Sequence, residues 1–247
     1  MRKQIEKLAR KLSTDPEKYG ETERSMIIDK NRPVTISEVQ ATLKAARRKR
    51  PIHDEAYLSD LIIQNIKEDC RVKGKEYVMS AKNKIVVLGV AKWCLRKQDS
   101  PYNLIKGLWI QGNTGTGKTT FAEAVRKSCR MLQQETGQDV LRFGFINYEQ
   151  LVDEIENNRS TRKLKMYDHH HMIFDDFYYQ EKNPYINHKE VLLHSLIVSQ
   201  AYNKRLSLLR IFTANFEINN FKSDRLKGRL RDVVTPIVWH GVNNQLR

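Results

Sequence analysis

Cysteine is scarce in this 247-residue chain: Cys70, Cys94 and Cys129 are the only three, far apart and without Cys-x-x-Cys or Cys/His ligand spacing. That argues against a structural zinc or a disulfide framework, and reduced thiols in a cytoplasmic protein are expected. Long apolar runs are missing too. None approaches the roughly 18 residues that a membrane helix needs, and Met1-Arg2-Lys3-Gln4 leads into a charged helical pattern rather than a signal sequence. Neither secretion nor a membrane span is expected. Acidic residues are the minority, 29 Asp and Glu against 44 Lys and Arg, a net charge of +15. The excess lies early, with 24 basic and 14 acidic residues in 1–106 and 20 and 15 in the remainder. Such a surface favours a polyanionic partner, nucleic acid ahead of membrane because no amphipathic anchor stands out.

Against this background one stretch carries chemistry. Gly112-Asn113-Thr114-Gly115-Thr116-Gly117-Lys118-Thr119 fits a glycine, four residues, then Gly-Lys-Thr, with Thr120 following. The residue types suit a phosphate loop: glycines let backbone N–H groups wrap phosphates, Lys118 supplies a cation for the outer phosphates, and the Thr119 hydroxyl can ligate Mg²⁺. The context agrees. Gly107 to Gln111 is a short apolar run suited to a buried strand, and Phe121, Ala122, Val125, Cys129 and Leu132 recur at helical spacing. Strand, glycine loop and helix N-terminus together make an anion site.

A second piece of chemistry lies 57 residues beyond Lys118, where the apolar strand Met172-Ile173-Phe174 ends in Asp175 and Asp176. In ATPases with such a loop, a strand beside the loop's own strand is expected to bring an acid to the Mg²⁺ shell. Asp175 suits that role, and Asp176 could orient or deprotonate an attacking water. Leu208 to Ala214 reads as another strand, with Asn215 just past its end, where an amide can hold the water or the outer phosphate. Asp224 to Val233 is a helix carrying Arg225 and Arg229 on one face, four residues apart. Either could serve as an arginine finger toward a neighbour's nucleotide.

The rest is organisation. Residues 1–79 form a polar, helical module interrupted at Asp15-Pro16, Arg32-Pro33 and Arg50-Pro51, with the basic run Lys44 to Arg50 at a helix end suited to phosphates or an acidic partner. Residues 80–247 form the second domain. Helices are expected at Ser80 to Leu95, Tyr148 to Asn157 and His188 to Tyr202, strands at Val140 to Asn147 and Pro236 to Trp239, and a basic surface turn at Arg159 to Lys165. Consecutive residues of a strand face opposite ways, so His169, His170 and His171 cannot all meet one ion. The rings of Phe177, Tyr178, Tyr179 and Tyr185 are suited equally to a core or to stacking on bases.

The order of these motifs resembles the AAA+ ATPases, and more specifically the DnaC/IstB group of helicase loaders and transposon ATP-binding proteins. The resemblance covers about 80–247 and rests on the loop at 112–119, Ile-Phe-Asp-Asp at 173–176, Thr-Ala-Asn at 213–215, Asp-Arg-Leu-Lys-Gly-Arg-Leu at 224–230, and Trp239-His240-Gly241 with Arg247. Two positions depart from the group: Phe177 stands where a glycine often follows the acids, and Asp224 where a serine often precedes the finger. The resemblance implies a three-layer α/β domain with five mainly parallel strands and no C-terminal helical lid, binding ATP and Mg²⁺. It also implies Arg225 as the arginine finger, Arg229 as a second candidate, and Arg247 touching nucleotide or a neighbouring subunit. ATP would then assemble a homo-oligomer, a ring, spiral or filament, that loads a replicative helicase onto single-stranded DNA. A transposition ATPase that coats duplex DNA and recruits a transposase is the alternative, and a small P-loop kinase the third.

Overall fold

The computed structural model describes residues 54–137, 139–178, 183–203 and 208–240. By compactness the chain divides into Met1–Arg50 and Pro51–Arg247. Everything described lies in the second unit, so the basic run at 44–50 and the expected roles of residues 1–53, Tyr179 and Arg247 fall outside the described residues.

The described residues open with α1 (Glu55–Val72) and α2 (Ala81–Cys94), capped by Asp54 and Ser80, whose side chains accept the N–H groups of Tyr57 and Asn83. In α1, Leu58, Leu61, Ile62 and Ile66 make a buried stripe at helical spacing. Then β1 (Gly107–Gln111), α3 (Lys118–Thr136), β2 (Phe143–Asn147), α4 (Tyr148–Asn157), a 3₁₀ segment (Thr161–His169) and β3 (His171–Asp175) follow. A small hairpin, β4 (Tyr185–Ile186) and β5 (Lys189–Glu190), precedes α5 (Leu193–Asn203). The chain continues through β6 (Arg210–Ala214), a 3₁₀ turn at Ile218–Asn220, α6 (Asp224–Val233) and β7 (Val234–Val238).

Five strands form one parallel sheet in the order β2-β3-β6-β1-β7, so the expected α/β architecture is what the chain adopts. Alternate strand residues face opposite layers. Leu108, Ile110, Ile173 and Ile211 point into a core with α1, α2 and α3, while Trp109, Phe174 and Phe212 point into one with α4, α5 and α6.

Three expectations need correction. The strand carrying the acids is not beside the loop strand: β6 lies between β3 and β1. The helix expected from His188 begins only at Leu193, because Asn187 and His188 take positive φ, 51° and 63°, and turn the chain back as a hairpin. The basic stretch expected as a surface turn is a 3₁₀ helix, Thr161–His169, entered through the Ser160 cap.

Candidate functional site

The loop 112–119 leaves β1 at the carboxyl edge of the sheet. Gly112 is obligatory by space, since a Cβ there would lie 2.5 Å from the carbonyl oxygen of Trp239. Trp239 itself extends the ladder by donating its N–H to Gln111 O (2.7 Å), stacks on Phe121 at 4.0 Å, and donates Nε1–H to Thr116 O (3.0 Å). One residue, by its backbone N–H and its indole, thus fixes both ends of the loop and the first turn of α3.

The start of α3 differs from its neighbours. Helices α1, α2, α4 and α6 are each capped by a side chain, from Asp54, Ser80, Asn147 and Ser223, whereas α3 begins at Gly117 in the left-handed region (φ 86°) with no side-chain cap. Its first-turn N–H groups, on Lys118, Thr119 and Thr120, are left for an anion. Lys118 is 5% exposed, and its ammonium donates to Gly112 O (2.9 Å), Asn113 O (2.9 Å) and Asn215 Oδ1 (2.7 Å). Burial pushes its pKa down, against the opposing pull of Asp176 and Asp175. Among the described residues no carboxylate lies within ion-pair distance of it: its direct partners are carbonyl oxygens, with Asp176 and Asp175 acting from further off.

Facing it across β6 is the acid side. Asp175 is 1% exposed, and burial raises its carboxyl above the ordinary aspartate value. The Thr213 hydroxyl donates to its Oδ1 at 2.6 Å, and Asp176, Thr119 and Asn147 are the other groups that act on it. Asp176 sits at φ 47° with its N–H on Thr213 Oγ1 (2.9 Å). Thr213 therefore aligns both acids, and it can do so because β6 is the strand inserted between them and the loop. The expected pieces Lys118, Asp175, Asp176 and Asn215 thus share one edge of the sheet with Thr119. Thr119 and Asp175 supply oxygen donors of the kind a hard divalent cation takes, so the residues fit Mg²⁺.

Other expected residues fall differently. Asn113, Thr114 and Gly115 are exposed on the loop, and Thr116 Oγ1 is buried without a partner. The Thr120 hydroxyl is turned away, donating to Asp69 of α1 at 3.2 Å. Arg225 is exposed in the first turn of α6, with no hydrogen bond or ion pair among the described residues. Arg229 is engaged inside its own chain, donating to Ser199 Oγ at 2.6 Å and lying 5.6 Å from the Tyr202 ring centre. Phe177 is core, 1% exposed and packed edge-on to Trp109 and Phe212. Tyr178 packs on His194 and Phe221.

Sequence reading assigned no role to Thr213, Asn147 or Asn83. Asn147 is the last residue of β2 and Thr213 the penultimate one of β6, polar residues at the carboxyl ends of mainly apolar strands, which is a readable signal. Asn83, fully buried, donates to His240 O (2.7 Å) and accepts the His240 N–H (3.2 Å), holding the segment after Trp239 against α2. Its signal is weak, one amide inside a helix.

No protein-family model matches this chain, and no curated protein matches it. Among solved structures it is similar to the DnaC helicase loader, at 18% identity and a TM-score of 0.46, over 66% of this chain and 93% of that one. It is also similar to a candidate primosome component from Streptococcus pyogenes serotype M3, at 16% and 0.48, over 68% and 85%. AMPPCP-bound DnaA from Aquifex aeolicus follows at 16% and 0.47, over 66% of this chain and 48% of that one. At such identities and TM-scores the meaning of the site rests on its own geometry.

Proposed function

We propose that the protein is a Mg²⁺-dependent ATPase of the AAA+ kind that loads a replicative helicase onto single-stranded DNA. The observation that carries the ATPase reading is the start of α3: an uncapped helix with a buried lysine in its loop and a buried carboxylate one strand away. A buried ammonium and a buried carboxylate held only by neutral groups each cost free energy, and a nucleotide with its cation would supply an oppositely charged partner to each.

In this reading the first-turn N–H groups and Lys118 take the phosphates, with Lys118 exchanging its carbonyl partners for phosphate oxygens. Thr119 and Asp175 would hold the magnesium ion, which screens the outer phosphates. Asp176, held by Thr213, accepts the proton of the attacking water, and Asn215, released by Lys118, orients that water. Arg225 is the arginine finger: exposed and unengaged, it is free to reach a neighbouring subunit's outer phosphate, whereas Arg229 braces α6 against α5. The DNA and helicase assignments rest on the early basic excess and on the motif resemblance to helicase loaders.

The test is hydrolysis by the full chain without DNA, with single strands and with duplex. Stimulation by single strands, about a thousandfold or greater loss in Arg225→Ala and partial recovery when Arg225→Ala is mixed with Asp176→Ala support a shared site on a single-strand loader. Stimulation by duplex alone would move the reading to the transposition ATPase, and turnover indifferent to DNA and to Arg225 would sink subunit assembly.

A further inference from the structure

Helix α1 takes no part in the chemistry above, yet it lies along α3 over its whole length. Three polar contacts join the two in antiparallel order: Tyr57 Oη donates to Glu135 Oε2 (3.2 Å), Asn65 Nδ2 to Ser128 Oγ (2.8 Å), and Thr120 Oγ1 to Asp69 Oδ2 (3.2 Å). Leu58, Ile62 and Ile66 share a buried cluster with Phe121 and Val125 of α3. The last polar contact is the unusual one, because it sets a carboxylate beside the third residue of the helix whose N-terminus is uncapped. Asp69 also accepts from Lys73 Nζ at 2.6 Å. Burial opposes its charge, but Lys73 and Thr120 more than offset that and hold the carboxyl below its ordinary value, so it is an anion at neutral pH.

We propose that Asp69 is a positioning residue for the nucleotide site, a resident anion that competes with phosphate by holding the Thr120 hydroxyl on α1. The inference rests on the reading that phosphate binds at the start of α3. Two physical effects act together. A hydroxyl has one proton, and Thr120 cannot give it both to Asp69 and to a phosphate oxygen. A second anion within the first turn also shares the field of the helix terminus and repels the phosphates. Nucleotide occupancy and the Asp69–Thr120 contact are therefore linked, and by reciprocity nucleotide weakens the contact by the same factor by which the contact weakens nucleotide binding. Thr120 then belongs to the site as a switchable partner.

The measurement is the Kd of a fluorescent N-methylanthraniloyl ATP with Mg²⁺ on the full chain, at low and high salt. Asp69→Asn keeps the shape and removes the charge, and is expected to tighten binding about three- to tenfold at low salt, less at high salt. In a Thr120→Val background the same change should keep only the salt-sensitive, through-space part, so at high salt it should shift the Kd less than about twofold. Unchanged or weaker binding in Asp69→Asn overturns the proposal. A full tightening that persists in the Thr120→Val background overturns the route through the hydroxyl. If Asp69→Asn melts early, Asp69→Ser repeats the test with a smaller side chain. Failure of the underlying reading is distinct: there the unaltered chain binds no nucleotide, or Lys118→Ala binds it as well.

Discussion

Strands β3 and β6 each begin in one polar cluster and end in another, five residues apart. At their amino ends Arg210, 3% exposed, donates to the carbonyls of His170 (2.6 Å), Leu209 (3.3 Å) and Tyr167 (3.0 Å), and His171 Nδ1 accepts the Leu209 N–H (2.9 Å). At their carboxyl ends stand Asp175, Thr213 and Asn215, with Lys118 reaching in from the loop. Both ends bury a cation that donates to neutral oxygens of the chain. What differs is the ownership of those oxygens. These carbonyl acceptors of Arg210 lie in the 3₁₀ segment and the strand entries that the guanidinium itself ties together, so the bonds to them strengthen the fold. Two acceptors of Lys118 belong to the loop that is to wrap phosphate, and the third to an exposed amide. A buried charge bound to the fold's own carbonyls is a staple; one bound to a loop awaiting a ligand is held ready.

Removing a charge should therefore have opposite consequences at the two ends. Asp175→Asn keeps an oxygen for the Thr213 hydroxyl and removes the cost of burying an ionised carboxylate. Hydrolysis is expected to fall about 10²- to 10³-fold, while the nucleotide-free protein gains on the order of 1 kcal/mol, a rise in Tm of about 2–4 °C. Asp175→Asn with full turnover, or with a clearly lowered melting temperature, would break the comparison at its functional end. Arg210→Met should do the reverse. Three carbonyls lose their donor, costing about 2–3 kcal/mol or roughly 5–10 °C in Tm, with hydrolysis per folded molecule unchanged. Thermal melts alongside rates normalised to folded protein test both.

The carboxyl-end cluster was largely legible in the sequence and the amino-end one was not. A glycine loop declares itself because it needs particular residues at fixed spacing, and the two acids declare themselves by closing an apolar run. Asn215 was readable for the same reason, standing just past a strand. What escaped is what depends on strand order: nothing local to 210–214 announces that β6 inserts between β1 and β3, so Thr213 could not be seen as the group that aligns both acids. Asp69 and Thr120 are 51 residues apart, and only the packing of α1 on α3 joins them. The amino-end staple was hidden in the same way, since Arg210 reads as a charge at the rim of a strand and its carbonyl partners in His170 and Tyr167 lie 40 and 43 residues upstream. The Asn187-His188 turn was hidden because the apolar spacing beyond it extends a helical pattern back to His188.

The smallest effect concerns His171, at the foot of β3. Its ring must be an acceptor at Nδ1 to take the Leu209 N–H, and burial first, then Arg210, Arg96 and His170, push its pKa below the ordinary 6.5. An unfolded histidine takes up a proton near that value while the folded one stays neutral, so the unfolded state binds more protons and stability falls as pH drops below 6.5 toward the folded value. The loss cannot exceed about 1.4 kcal/mol per pH unit from one group, and about 1 kcal/mol or less is expected between about pH 7.5 and 5.5. His171→Gln keeps an oxygen for the Leu209 N–H and does not titrate, so its urea midpoint should change less over that interval than that of the unaltered chain. Histidines that do not act on His171 contribute equally to both proteins and cancel in the difference. Equal slopes would mean that this ring takes up its proton as readily folded as unfolded, and the contrast between a satisfied foot and a poised top of the same two strands would lose half its support.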